Sequence, residues 1–218
     1  MRVRAVGADA LLLEVDDPAA WFTELVRRRD AGELRVVDIV PGARTVLLDG
    51  LTDPAAATEA LRGWSAPVAA IRHGPVIEIP IAFDGPDLPD VAAHWGVEPD
   101  DVVRRLTETS FHVAFCGFAP GFGYLAGLPE DLAVPRLATP RSRVTAGSVG
   151  LADTYAGIYP TASPGGWRLI GRTDVTLFDP TRTPPALLTP GRRVRFVAVA
   201  AEPSTVEAFE TDPGEVAP

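Results

Sequence analysis

The chain has 218 residues, 46% of them apolar, and a formal net charge of -9, long enough for one large domain or two modest ones with a sizeable core. All 20 basic residues are Arg, and there is no Lys, Asn or Gln, which excludes a lysine Schiff base, the lysine of a phosphate-binding P-loop and a biotin-accepting lysine. The acidic balance argues against broad nucleic-acid binding, and no apolar run nears the roughly 18 residues of a membrane span.

The first eighty residues read as a small α+β unit. "RVRAVG" and "ALLLEV" have strand character, and "DDPAAWFTELVRRRDAG" predicts a helix with an Asp cap, Pro18 in its first turn and Gly32 past its end. "LRVVDIV" and "RTVLLDG" follow as strands joined at Pro41-Gly42, then "DPAAATEALRGW" as a second helix. The order predicts a sheet covered on one face by two helices. "PVIEIPIAF" reads as a further strand crossing into the next domain.

"DLPDVAAHWGVEPDDVVRRLTE" predicts two short amphipathic helices joined at Gly96. Their spacing matches a DNA-reading helix-turn-helix. Glu98, Asp100 and Asp101 would then meet phosphate, so the pair reads as structural, with acids suited to a helix N-terminus. From Ser110 onward strands are short and Gly/Pro punctuation is dense: "FHVAFCGF", "RVTAGSVGLA", "GIYPT", "WRLIGRT" and "RVRFVAVA" predict a closed or nearly closed β-structure. The expected division is 1–78 for the N-terminal α+β domain, 79–203 for the barrel with its helical pair at 87–108, and 204–218 for an acidic tail.

Asp9, Glu14, Asp16 and Asp17 stand where a signal peptide would be apolar, so a cytoplasmic protein is expected. Cys116 is the only cysteine, which rules out an internal disulfide. "AGSVG" has Ala146 where a nucleophile elbow needs Gly, leaving Ser148 as a hydrogen-bonding residue and not a nucleophile. His73, His94 and His112 are the only histidines, and each reads as packing or surface; no metal-ligand set is expected.

Charge is uneven. Between Arg136 and Arg195 nine arginines face three aspartates, a basic island that reads either as ordinary solvated surface or as a grip for carboxylate or phosphate. "PRLATPR" places Arg136 and Arg141 after prolines, which lowers the entropy lost if they are held for an anion; a solvated loop is the alternative. In "SPGGWRLIGRT", Gly165 and Gly166 would admit a ligand close to the backbone, beside Trp167 and Arg172. The same residues would also make a tight turn with Trp167 filling the barrel, and spacing alone does not choose.

"GFAPGFGYLAGLP", "PRLATPRSRVTAGSVG", "GIYPTASPGGWRLIGRT" and "LFDP", in that order, resemble the B subunit of bacterial 5-oxoprolinase, also labelled allophanate hydrolase subunit 1 or Kip-inhibitor type. The resemblance is strong over 79–199 and looser before it. It implies an N-terminal α+β domain and a cyclophilin-like β-barrel, working with the C and A subunits to open 5-oxo-L-proline to L-glutamate with ATP hydrolysis. It further implies ATP with Mg²⁺ at the level of the complex; the lack of any Lys excludes covalent biotin on this chain. Arg136, Arg141 and Arg172 are expected to line one pocket with Ser148, Tyr159, Ser163, Gly165, Gly166 and Trp167, shared with the C subunit; no catalytic residue is assigned. Two other roles within the resemblance are a regulatory inhibitor of a sensor histidine kinase and a part of a biotin-dependent urea or amide carboxyltransferase. The chain departs from the family pattern where Leu106-Thr107 replaces His-Thr and Tyr155-Ala156 replaces Gln-Thr.

Overall fold

Asp17 and Asp53 each cap a helix that opens on proline: their carboxylates accept the backbone N–H of Ala20 and of Ala56, both at 2.9 Å, and Pro18 and Pro54 need no N–H there. The resulting helices, α1 (Pro18–Asp30) and α2 (Pro54–Arg62), bury Trp21, Leu25, Ala57 and Leu61. A computed structural model describes residues 1–66 and 76–201 of the chain. His73 and the expected acidic tail lie outside the described residues.

The four strands between and before these helices are β1 (Arg2–Val6), β2 (Ala10–Glu14), β3 (Asp38–Pro41) and β4 (Thr45–Asp49), all antiparallel in the order β1-β2-β4-β3. Alternation puts Leu11, Leu13, Val46 and Leu48 on the face that meets the helices, where they form one apolar cluster with Trp21, Leu25 and Leu61. The strand expected over "LRVVDIV" is shorter than its composition implied. Leu34 is buried, but only Asp38–Pro41 pairs with β4, because Val37 turns its amide to Asp49 and lies 79% exposed.

The second sheet has seven strands: β5 (Val76–Ile81), β6 (Phe111–Cys116), β7 (Gly123–Ala126), β9 (Ser148–Ala152), β10 (Tyr155–Ile158), β12 (Arg168–Arg172) and β13 (Arg193–Ala198). Their spatial order is β12-β9-β10-β7-β6-β13-β5, and only β5 and β13 run parallel. The two edges meet through Ala82 and Arg172, whose N–H and C=O groups exchange bonds of 2.9 Å, so the sheet is a nearly closed barrel. Because β5 belongs wholly to this sheet, the barrel begins by Val76 and the expected division at 78/79 falls inside a strand.

Ile79, Ile81, Phe111, Leu125, Val149 and Phe196 fill the barrel's main core together with buried residues of α3 (Leu88–Trp95) and α4 (Pro99–Glu108). Gly96 takes φ 66° to end α3. The helical pair packs its apolar faces into this core. Val102 and Leu106 are fully buried, and the Trp95 indole N–H donates to the Leu132 carbonyl at 3.0 Å. The single strand expected over "RVTAGSVGLA" is in fact two, β8 (Arg141–Val144) and β9, separated at Gly147, which takes φ 80°. β8 leaves the barrel and pairs with β11 (Ser163–Gly165) as a separate two-stranded arm.

Candidate functional site

The segment "DGPDLPD" crosses the backbone of β12, and its carboxylates meet the basic island. Gly85 permits the crossing: a Cβ there would lie 2.4 Å from backbone atoms of Leu169, Ile170 and Gly171. Asp84 binds Arg172 Nε at 2.9 Å, Asp87 binds Arg141 Nη2 at 2.7 Å, and Asp90 binds Arg168 Nη1 at 2.8 Å. Asp87 is 5% exposed, and its second oxygen accepts the Leu169 N–H at 2.6 Å. The spacing of three places each aspartate at a different point along β8 or β12.

Of the three arginines expected to line one pocket, Arg136, Arg141 and Arg172, the second and third are each paired with a different aspartate. Arg172 instead borders a cleft of about 430 Å³ with Pro80, Ala82, Thr173, Asp174 and Val199. Arg141 stands at the root of the arm, across the ladder from Gly165. Arg136 is exposed. The island of positive charge is thus divided among carboxylates that come from a distant part of the chain, and composition within the island could not show that.

Under the arm lies an aromatic cluster on the outer side of the barrel sheet. Phe122, Tyr159 and Trp167 are buried, and Phe122 meets Tyr159 and Trp167 edge to face at 5.5 and 5.4 Å. Tyr124 stands between Trp167 and a half-buried stack: its ring lies 4.2 Å from Phe115 and 5.9 Å from Tyr155. Glycines make the room. A Cβ at Gly157 would sit 2.8 Å from both Phe122 and Trp167, and one at Gly165 would sit 2.4 Å from the Tyr159 hydroxyl. Gly165 and Trp167 therefore follow the packing alternative, with Trp167 as core and not as an open ligand wall. Gly166 has free space to 3.5 Å and gives its carbonyl to the Leu137 N–H.

Burial raises the Tyr159 pKa, opposed by the Trp167 backbone N–H and by the positive charges of Arg136 and Arg141. The hydroxyl stays protonated at neutral pH, and both arginines lie within electrostatic reach of it. Ser148 is buried with its hydroxyl 3.0 Å from Thr145, a bond across the turn into β9. Ser163 and Arg141 differ: Ser163 Oγ and Arg141 Nη1 are buried with no hydrogen-bond partner. His94 bonds the Ala133 carbonyl at 2.9 Å and His112 is exposed on β6. Leu106 is a core residue, and Tyr155 joins the aromatic stack.

One residue of this face was not singled out in the sequence. Phe118 has φ 67°, a region that a bulky side chain enters at a cost. Its ring is 60% exposed, with edges toward Phe122 at 5.3 Å and Tyr159 at 6.1 Å. The available signal was its place in "GFAPGFGY", between two glycines and a proline. A larger cavity, about 630 Å³, lies on the N-terminal unit beside Trp21, Arg62 and Trp64 and holds none of the expected site residues.

A nearly closed barrel with an aromatic outer face, carried behind a four-stranded α+β unit, defines a class, and the carboxyltransferase domain family, subdomains C and D, matches residues 1–188. A Pyrococcus horikoshii protein of solved structure, PH0987, is 33% identical with a TM-score of 0.56, covering 91% of this chain and 98% of that one. The solved protein TTHA0988 gives 32% identity and a TM-score of 0.73 over 95% of this chain and 43% of that one. Kluyveromyces lactis urea carboxylase shares the fold at 22% identity and a TM-score of 0.66, over 91% of this chain and 22% of that one. The chain is 40% identical to the 5-oxoprolinase B subunit of Escherichia coli O157:H7 over 90% of its length and 95% of the relative's, and 39% identical to that of Haemophilus influenzae over 93% and 100%. It belongs to the family of 5-oxoprolinase B subunits.

Proposed function

We propose that the chain is one subunit of an ATP-dependent 5-oxoprolinase, inactive alone, which with the A and C subunits opens 5-oxo-L-proline to L-glutamate. The observation that carries this reading is identity of about 40% along nearly the whole length of two proteins of that name. The geometry is compatible with shared work. The aromatic face with strained, exposed Phe118 is a surface that a partner subunit could complete, since such strain persists where function holds it.

A lactam carbonyl is a poor electrophile, and ATP can activate it by phosphorylating its oxygen. The described residues offer no preformed cluster for a Mg²⁺ ion. Among the described residues no group of three His, Cys, Asp or Glu could hold a metal, and Asp84, Asp87 and Asp90 are each engaged by an arginine. The nucleotide and its metal are accordingly proposed for another subunit, with this chain contributing binding surface. Among the described residues no helix is long and apolar enough to cross a membrane.

The test is reconstitution. The chain alone, the A and C subunits together, and all three combined are supplied with 5-oxo-L-proline and Mg²⁺-ATP, and glutamate and ADP are followed. Coupled release of both only in the full mixture is expected. Equal release without this chain would overturn the assignment.

A further inference from the structure

Two polar atoms in the described structure are buried without a hydrogen-bond partner, Arg141 Nη1 and Ser163 Oγ, and both belong to the two-stranded arm. Buried donors left unpaired are rare because each forfeits its bond to water. Gly165 is their common neighbour. It faces Arg141 across the ladder, follows Ser163 by two residues, and packs against the Tyr159 hydroxyl. Burial raises the pKa of that hydroxyl, so it keeps its proton and can donate it.

Asp87 fixes the arginine. With one oxygen on Arg141 Nη2 and the other on the Leu169 N–H, the carboxylate holds Nη2 and leaves Nη1 without a partner. The guanidinium is thereby oriented but not saturated. The positive charge is fixed in place, and every unused group around Gly165 can donate; an anion with two acceptor oxygens complements them. The strands of the arm pair only with each other among the described residues, and their ladder is irregular between Ser163 and Gly165.

From this geometry we infer that Arg141 Nη1 and Ser163 Oγ, with the Tyr159 hydroxyl, receive the carboxylate of the substrate. Asp87 acts as the positioning residue that aims Arg141. The inference rests on the proposed 5-oxoprolinase role for the identity of the ligand, and it assigns to this chain the group that distinguishes 5-oxo-L-proline from an uncharged lactam.

The experiment compares the reconstituted complex on 5-oxo-L-proline and on its neutral amide, 5-oxo-L-prolinamide. The wild-type complex is expected to prefer the acid, and Arg141→Lys, which keeps a cation for Asp87 but loses the forked second nitrogen, to shrink that preference at least tenfold through KM. Ser163→Ala should raise KM for the acid at least threefold while Tm stays level or rises, because it deletes an unpaired buried hydroxyl. A merely structural serine would show the reverse, a lower Tm and an unchanged KM. An unaltered acid-over-amide preference in Arg141→Lys overturns the inference, as does a fallen Tm with unchanged KM in Ser163→Ala. Should the wild-type complex release no glutamate, the functional assignment falls and the subsite is decided separately. The full chain alone is then titrated with 5-oxo-L-proline while the backbone amides of Gly165, Gly166 and Trp167 are followed by NMR. Saturable shifts that vanish in Arg141→Lys support the subsite, and their absence in the wild-type chain overturns it.

Discussion

Gly165 and Gly166 are adjacent, yet alanine should be refused at one and accepted at the other. At Gly165 a Cβ would stand 2.4 Å from the Tyr159 hydroxyl and 2.9 Å from two ring carbons, about 1 Å inside ordinary van der Waals contact. The ring cannot yield easily, being 2% exposed and edged by Phe122 and Phe118. Overpacking of this kind costs about 1–3 kcal/mol, against about 0.5–1 kcal/mol gained by replacing a strand glycine, so Gly165→Ala should lose about 1–2 kcal/mol. At Gly166 the nearest atoms belong to Pro140 at 3.5 Å and beyond, and alanine should be neutral or stabilising by up to about 1 kcal/mol. Urea titration followed by intrinsic fluorescence should separate the two variants by about 1 M in midpoint at equal slope. Tyr159→Phe removes the atom at the shortest contact, and combined with Gly165→Ala it should recover about 1 kcal/mol as a coupling energy. Equal midpoints for the two alanine variants, or strict additivity in the double mutant, would refute the packing account.

The three ion pairs of the crossing segment should differ in worth: Asp87→Ala strands a part-buried guanidinium and a buried N–H and should cost about 3–5 kcal/mol, whereas Asp84→Ala, from a pair with both side chains about a third exposed, should cost no more than about 1 kcal/mol; both are read from urea midpoints. Glu24 is held at a pKa of about 2, chiefly by its hydrogen bond to Arg27 and by Arg28, against an ordinary value of 4.5. The unfolded chain therefore binds more protons at this site between those two values. The Glu24 contribution is complete above about pH 4.5 and is lost as pH falls toward 2, so acid titrations should show a shallower decline in Glu24→Gln over that window than in the wild type. Phe118→Gly should relieve about 1–2 kcal/mol of left-handed backbone strain while losing little burial. A thermal melt should show equal or higher stability, and gel filtration should show weaker retention by the partner subunits.

The N-terminal unit was legible because its signals are local. Asp17 and Asp53 before prolines, Gly32 after a basic last turn, and the alternation of Leu11 and Leu13 each act within a few residues of themselves, and each stands in the fold as its chemistry requires. The helical pair at Gly96 was legible for the same reason, and the order of linked motifs carried the family. What the residues could not declare was which distant group each would meet. The basic stretch from Arg136 onward is neutralised in part by Asp84, Asp87 and Asp90, which lie some fifty to ninety positions earlier in the chain, and only the crossing at Gly85 brings them into register. "RVTAGSVGLA" has strand composition throughout, but whether it runs on or turns at Gly147 depends on the barrel edge it must reach. Short-range preference sets the elements, whereas the pairing of opposite charges across the chain and the choice of packed over open glycines are set by closure of the sheet, which composition does not encode.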